Sequence, residues 1–212
     1  MASQETAPDP RREHWETVFR EKEEGEVSWF QERPKTSLDL IARTGLDGSA
    51  KIVDVGGGAS RLVDGLLDAG YSDVVVVDIA EAALAKARER LGERAERVRW
   101  IARDLLQWIP DTTFDVWHDR AVFHFMVRPE DRAVYLANMR RAVKPGGHVI
   151  IATFAKNGPE KCSGLPVQRY EPDELAAQLG SEFRLVESMH EEHATPAGKM
   201  QAFQFSRFQR GR

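Results

Sequence analysis

Short apolar runs alternate along the chain with longer stretches in which apolar residues recur every three or four positions. Runs of four to eight residues rich in valine and isoleucine are typical of buried strands, and the longer spacing is typical of amphipathic helices. The predicted strands are Lys51–Val55, Asp73–Val77, Arg97–Ile101, Phe114–His118 and His148–Phe154. The predicted helices between and after them are Ser60–Ala69, Ala80–Leu91, Pro129–Val143 and Pro172–Leu179. Strands that alternate with helices in this way predict a doubly wound α/β sheet with right-handed crossovers.

The two ends of the chain depart from this alternation. Near the carboxyl end, Phe183–Met189 and Met200–Phe208 predict an antiparallel pair of strands, with Phe203 and Phe205 on one face. Before the first strand, Arg11–Glu24 predicts a charged helix, Val27–Gln31 a loop, and Pro34–Arg43 a second helix.

A glycine-rich turn follows the first predicted strand, in the segment Val53–Ser60 with sequence VDVGGGAS. Gly56, Gly57 and Gly58 let the backbone come close to a ligand, because a Cβ there would collide with it. A second strand ends in an acid, Asp78, and an ionised carboxylate accepts hydrogen bonds from the two hydroxyls of a ribose. The pattern predicts a pocket for a ligand that contains adenosine.

The residues around the turn distinguish between adenosine ligands. A dinucleotide-binding turn needs a third glycine where this chain has Arg61, and no Gly-Lys-Ser/Thr follows to form a P-loop. Asp54 would repel a pyrophosphate at short range. The same carboxylate would attract the ammonium and sulfonium of S-adenosylmethionine, which is therefore the predicted ligand.

Composition and charge narrow the function classes further. The chain has 212 residues, which favours one domain, and its net charge of −4 gives no field that favours nucleic acid or anionic lipid. A single cysteine excludes a disulfide framework and a cysteine-cluster metal site, and we expect no metal. No apolar run is long enough to span a membrane and the opening residues do not form a signal peptide, so we expect a cytoplasmic protein without a membrane partner.

Five ordered motifs resemble those of class I S-adenosylmethionine-dependent methyltransferases. Within Val53–Phe154 they are VDVGGGAS, VVVVDI, RDLLQW, FDVWHDRAVFHF and VKPGGHVII. The resemblance implies a Rossmann-like seven-stranded, mostly parallel sheet with an antiparallel last strand, in a compact member of the small-molecule type. It implies three regions: a disordered tail at 1–10, an amino-terminal helical lid at 11–45, and the catalytic domain that binds S-adenosylmethionine at 46–212.

The resemblance also assigns roles to residues of the cofactor pocket. Asp54 would receive the cofactor ammonium, Asp78 the ribose hydroxyls, and Asp104 the adenine amino group. The other predicted contacts are the turn Gly56–Gly58, Ile79 and Leu105 at adenine, the backbone near Asp119 and Arg120 at the methionine part, and Trp29 in the lid. Three alternatives stay open: Asp54 as a helix-capping acid, Asp104 as a surface acid, and Asp119 and Arg120 as a pair of oppositely charged strand-end residues.

Catalytic and acceptor residues follow from the same resemblance. His124 is the first candidate for a general base and Asp119 the second, although a sulfonium leaving group allows transfer without either. An alternative is a packed His124 in the core, between Phe123 and Phe125. The candidate substrate-binding residues are Trp15, Phe30, Phe123, Cys162, Arg169 and Tyr170. The lid aromatics have an alternative role, which is to attach the amino-terminal helix to the sheet.

The predicted reaction is methyl transfer by in-line displacement to a nitrogen, oxygen or sulfur of a small molecule. A protein lysine is the alternative acceptor, but that branch usually has an Asp-Lys-Gly-Thr-like run where this chain has Asp119-Arg120-Ala121-Val122. A NAD(P)-dependent reductase and a non-catalytic adaptor of the same fold are the other hypotheses. We expect a monomer or homodimer and no nucleic acid partner.

Overall fold

The fold, seen in a computed structural model that describes residues 9–212, is a seven-stranded sheet covered by helices on both faces. The strands are β1 Lys51–Val55, β2 Asp73–Asp78, β3 Val98–Ala102, β4 Phe114–Arg120, β5 Val143–Phe154, β6 Lys161–Cys162, β7 Leu165–Pro166, β8 Phe183–Ala194 and β9 Met200–Arg210. The helices are α1 Pro10–Glu21, α2 Lys35–Ala42, α3 Leu62–Asp68, α4 Glu81–Leu91, α5 Pro129–Ala142 and α6 Pro172–Leu179, with three short 3₁₀ turns between them. No helix in this part of the chain is long and apolar enough to cross a membrane.

The strand order in the large sheet is β3-β2-β1-β4-β5-β9-β8. Strands β1 to β5 are parallel, and β9 runs antiparallel to both β5 and β8. The prediction of a mostly parallel seven-stranded sheet with a reversed last strand is therefore confirmed. The order turns back at β1 and β4, and ligands of open α/β sheets bind beside the carboxyl ends of strands at such a point.

Alternate strand residues point to opposite layers of the core. Val53 and Trp117 pack with α5 and α6 on one face, whereas Ile52 and Val116 pack with α2 and α3 on the other. Because the side-chain period of a strand is two residues, Asp54 on β1 lies on the α2 face. For the same reason, His118 and Asp119 at the carboxyl end of β4 point to opposite faces of the sheet.

The predicted element boundaries differ from the observed ones mainly beside loops. Helix α3 begins at Leu62 because the glycine turn continues through Arg61, and β5 begins at Val143 because the predicted Pro145-Gly146-Gly147 turn belongs to an irregular start of the strand. The hairpin β6–β7 was not predicted. Of the predicted disordered tail, residues 1–8 lie outside the described part, whereas Asp9 caps α1 and Pro10 begins it.

Candidate active site

The glycine turn after β1 has no room for side chains. Gly56 and Gly58 have φ values of +65° and +48°, which only glycine adopts readily. A Cβ on Gly56 would lie 2.0 Å from Val122 Cγ2, and one on Gly57 would lie 2.6 Å from Asp54 Oδ2. The three glycines therefore let the turn pack directly on the acids and on the loop that follows β4.

Asp54 belongs to a buried hydrogen-bonded chain with two other side chains. His118, directly opposite on β4, places Nδ1 2.8 Å from Asp54 Oδ1 and Nε2 2.9 Å from Ser37 Oγ of α2. All three residues are at most 3 % exposed. Since an ionised carboxylate only accepts, His118 Nδ1 donates to Asp54 and the Ser37 hydroxyl donates to Nε2. The arrangement orients one oxygen of Asp54 and leaves Oδ2 beside the glycine turn.

Asp78 closes β2 on the opposite side of the turn. Its Oδ1 accepts from Ala80 N at 2.8 Å, at the start of α4, and a Cβ on Gly58 would lie 3.1 Å from Oδ2. Burial raises the pKa of Asp78 to about 7, with a further contribution from the charge of Asp54. Two carboxylates on either side of one turn make this a site for a ligand that brings positive charge and hydroxyl donors.

Asp104 and its neighbours form the third part of the predicted cofactor pocket. Asp104 Oδ1 accepts from Leu106 N at 2.9 Å, and Oδ2 accepts from Arg11 Nη2 of α1 at 2.8 Å. Leu105 is buried in the core, and Ile79 is partly exposed beside Asp78. Asp104 is thus a buried, paired acid and not an isolated surface carboxylate.

Helix α1 covers the crevice between these acids. Phe19 approaches the turn so closely that a Cβ on Gly58 would lie 3.3 Å from its ring, and Trp15 and Trp29 pack around it. Glu16 accepts hydrogen bonds from two backbone amides that begin α4, Glu81 N at 2.8 Å and Ala82 N at 3.2 Å. The cavity that remains beside the turn has a volume of about 30 Å³, so an adenosine ligand enters only after α1 moves.

The remaining lid residues attach the loop after α1 to the turn. The guanidinium of Arg61 lies over the ring of Phe30 at 5.4 Å and pairs with Glu24 and Glu32. Trp15 also contacts Phe125 of the loop after β4, with ring centroids 5.2 Å apart. Trp15 and Trp29 therefore hold the amino-terminal helix on the sheet in this state, and a role over a bound cofactor stays a prediction.

Asp119 organises the loop that follows β4. Its carboxylate accepts from Val122 N at 3.0 Å, from Phe123 N at 3.0 Å and from the Tyr135 hydroxyl of α5 at 2.5 Å. Burial raises its pKa to about 6. The expected pairing of Asp119 with Arg120 is wrong, because consecutive strand residues point to opposite faces and Arg120 Nη1 instead donates to the Trp29 carbonyl oxygen.

His124 lies fully buried against Phe125 and Phe154. Neither ring nitrogen has a hydrogen-bond partner among residues 9–212. Burial and the nearby charge of Arg120 lower its pKa to about 3, so the ring is neutral at neutral pH. A group with so low a pKa is a weak general base, and this state gives the catalytic hypothesis for His124 no support.

The other predicted acceptor residues do not form one cluster. Phe123 and Tyr170 contact each other in the core on the α5 face, with ring centroids 5.5 Å apart. Cys162 is buried on the opposite face, where burial raises its pKa to about 11. Arg169 donates to the carbonyl oxygens of Lys156 and Gly158 and pairs with Glu160. Substrate binding by these four residues stays a prediction.

Sequence reasoning missed His118, Ser37 and Arg11 as members of the site. His118 is a polar residue inside an apolar strand, and that was a usable signal. Its pairing with Asp54 depends on the register between β1 and β4, and the contact of Arg11 with Asp104 spans 93 residues along the chain. Neither follows from local pattern.

Comparison with known proteins connects this geometry to a family. A family model described as a methyltransferase domain matches residues 52–147, from β1 through the start of β5. A 1,6-didemethyltoxoflavin-N1-methyltransferase of Burkholderia thailandensis, solved with S-adenosylhomocysteine, superposes with a TM-score of 0.74 at 23 % identity and covers 100 % of this chain and 94 % of that one. Residues 52–147 therefore match a methyltransferase domain, and the chain shares the fold of this S-adenosylhomocysteine-bound methyltransferase.

The curated relatives that the chain matches differ in acceptor and in length. The trans-aconitate 2-methyltransferase of Azoarcus sp. (strain BH72) is 32 % identical over 154 residues, which are 72 % of this chain and 57 % of the relative. The eEF1A lysine and N-terminal methyltransferase of Mus musculus is 26 % identical over 153 residues, or 68 % of this chain. The chain spans 21 % of that relative's length.

We expect removal of the Asp119 carboxylate to cause a large loss of stability. Asp119→Ala leaves two backbone amides and the Tyr135 hydroxyl without an acceptor in the core, and we expect the free energy of unfolding to fall by about 3–5 kcal/mol. Urea denaturation measures the change. Asp173→Ala, an exposed aspartate on α6, is the matched control and should unfold like the wild type. A loss below about 1 kcal/mol would show that Asp119 is not a structural acceptor.

The raised pKa of Asp78 predicts how stability depends on pH. Between pH 4 and pH 7 the folded chain holds a proton on Asp78 that the unfolded chain has released, so this group lowers the stability as the pH rises. We expect the wild type to lose a few kcal/mol relative to Asp78→Asn across that window, measured by urea denaturation without cofactor. Asp173→Asn should keep the wild-type pH dependence, and equal slopes for the wild type and Asp78→Asn would refute the assignment.

Proposed function

We propose that this protein transfers a methyl group from S-adenosylmethionine to a nitrogen, oxygen or sulfur atom of a small molecule. The observation that carries the proposal is the pair of buried carboxylates, Asp54 and Asp78, on either side of a turn that has no side chains. They fit the two ends of this cofactor, because Asp54 Oδ2 faces the turn and can accept from an ammonium. Asp78 has an oxygen beside Gly58 that can accept from ribose hydroxyls.

The cofactor supplies an electrophilic methyl group on a sulfonium, and the chain supplies position and exclusion of water. Cofactor binding requires α1 to leave the crevice, since the Phe19 ring lies on Gly58 and Arg11 donates a hydrogen bond to Asp104. After binding, the aromatic group on α1 and the following loop can pack over the ligand in a new position and exclude water. Alignment of the acceptor with the methyl carbon lowers the activation free energy by several kcal/mol, on the order of what proximity supplies in other enzymes.

A general base is not part of the proposed mechanism. His124 is neutral and enclosed, and Asp119 has its oxygens committed to the loop after β4 and to Tyr135. An acceptor that is already deprotonated at neutral pH, such as a carboxylate or an acidic thiol, would need no proton removal.

The Azoarcus relative, which by its name acts on trans-aconitate, supports a small-molecule acceptor. The mouse relative, which by its name methylates a lysine and an amino terminus of eEF1A, supports the alternative of a protein acceptor. The departure at Arg120-Ala121-Val122 from the lysine-methylating pattern favours the small molecule. A cytoplasmic location, a monomeric or homodimeric state and the absence of a nucleic acid partner stay predictions.

Calorimetric titration with S-adenosylhomocysteine tests the cofactor assignment. Asp78→Ala should weaken binding by about 1–3 kcal/mol, because two ribose hydroxyls lose their acceptor. Wild-type affinity should also fall as the pH is lowered from 8 to 6, since protonation of Asp78 removes its charge and turns one of its two acceptor oxygens into a donor, and Asp78→Asn should lose this dependence. Asp173→Ala should bind like the wild type. Unchanged affinity in Asp78→Ala, or saturable binding of NADH instead, would contradict the proposal.

Transfer itself is tested with cofactor labelled in the methyl group. The acceptor panel comprises small thiols, amines, carboxylates and halides, with a cell lysate as the protein arm. Label in a small-molecule fraction supports the proposal, and label confined to protein supports the lysine alternative. A product labile to mild base identifies an ester, whereas an N-methyl group is stable. Cofactor binding without any labelled product would indicate an adaptor.

A further inference from the structure

Arg120 presents an unused hydrogen-bonding edge inside the protein. Its Nη1 donates to the Trp29 carbonyl oxygen at 2.9 Å. Its Nε and Nη2 are inaccessible to solvent and have no hydrogen-bond partner among residues 9–212. These two atoms form one side of the guanidinium, and their parallel N–H groups match the two oxygens of a carboxylate.

Arg120 forms no ion pair with an acid among residues 9–212. The carboxylates that act on it most are Glu191 and Asp54, and each has another partner: Gln31 donates to Glu191 at 2.6 Å and His118 contacts Asp54 at 2.8 Å. Burial lowers the pKa of Arg120 to about 10. A buried cation without a paired anion is costly, which indicates that an anion belongs at this position.

The guanidinium of Arg120 lies beside the carboxyl-terminal part of the sheet. It lies 4.9 Å from the ring centroid of Phe203 on β9, and β9 is separated from β4 by β5. Cys162 and His124 lie within electrostatic range of it. Asp54 of β1 also acts on the charge of Arg120, so the guanidinium lies within range of β9 and of this cofactor acid.

Arg120 is also continuous with the cofactor site. The small cavity of about 30 Å³ beside the glycine turn is lined by Arg120, Ala59 and Ser60 as well as by lid residues. The bond from Nη1 to the Trp29 carbonyl ties the same guanidinium to the lid. A ligand held on the Nε–Nη2 edge would therefore lie under the lid and next to the glycine turn.

We propose that Arg120 binds a carboxylate of the methyl acceptor through its Nε and Nη2 atoms, which makes the acceptor a small carboxylic acid. This inference rests on the proposed function. Arg120 thereby replaces Arg169, whose nitrogens donate to two backbone carbonyls and to Glu160, as the cation that recognises the acceptor.

The test is ligand binding to the full chain saturated with S-adenosylhomocysteine. The probes are acetate, succinate, benzoate and trans-aconitate, each paired with its uncharged amide and compared at constant ionic strength. Thermal shift gives the screen and calorimetry the dissociation constant. We expect at least one carboxylate to bind while its amide does not. Arg120→Met should weaken that binding about 10- to 100-fold, the scale for a lost charged hydrogen-bond pair, and Arg120→Lys should recover part of it.

Two further variants distinguish carboxylate binding by Arg120 from a general effect of losing one positive charge. Arg43→Met removes an exposed arginine that pairs with Glu187 and should bind the carboxylate like the wild type. Arg169→Met tests the residue that sequence alone suggested, and it too should leave binding unchanged. No binding by any carboxylate, or binding that survives in Arg120→Met, would overturn the inference, as would a loss of binding in Arg169→Met alone.

The cofactor also has a carboxylate. A second comparison therefore tests whether Arg120 binds the carboxylate of the cofactor or that of the acceptor. 5′-Methylthioadenosine lacks the amino acid part of S-adenosylhomocysteine. Arg120→Met should change the affinities for the two nucleosides by the same factor, and weaker binding of S-adenosylhomocysteine alone would assign Arg120 to the cofactor and overturn the inference. A wild-type chain that binds neither nucleoside would refute the proposed function itself, which is a different result from a chain that binds them but no carboxylate.

Discussion

The structure depends on the close packing of a backbone turn between two buried carboxylates. Gly57 lies so close to Asp54 that a Cβ would collide with it, and Gly58 packs tightly against Asp78 with a positive φ that side chains rarely adopt. Asp78 raises the free energy of the empty protein, because burial and the nearby charge of Asp54 oppose its ionisation. A ligand that brings an ammonium and hydroxyl donors removes that cost, so the same packing that strains the free chain favours binding.

The carboxyl end of β4 supplies three consecutive residues with three separate roles, because strand side chains alternate between faces. His118 orients Asp54 from the α2 side. Asp119 points to the α5 side and fixes the following loop through Tyr135. Arg120 returns to the first face, contacts the lid through the Trp29 carbonyl and keeps one edge free. The proposed cofactor and acceptor contacts and the loop after β4 are thus linked through one strand.

The sequence was sufficient for the sheet and for the glycine turn, because both depend on local pattern. A valine-rich run predicts a buried strand wherever its partners lie, and three adjacent glycines after such a strand predict a close approach. The position of the lid was not predictable, since the contacts of Arg11 and Phe19 join residues far apart in the chain. Arg169 illustrates the same limit. As an arginine, Arg169 is a candidate to bind an anion. Only the structure shows that it already donates to two backbone carbonyl oxygens.

The most direct measurement is a crystal structure of the protein with S-adenosylhomocysteine. The account predicts the ligand ammonium at Asp54, the ribose hydroxyls at Asp78, and Phe19 displaced from Gly58 together with α1. A ligand bound elsewhere, or α1 unmoved with the crevice still closed after soaking at saturating concentration, would contradict it.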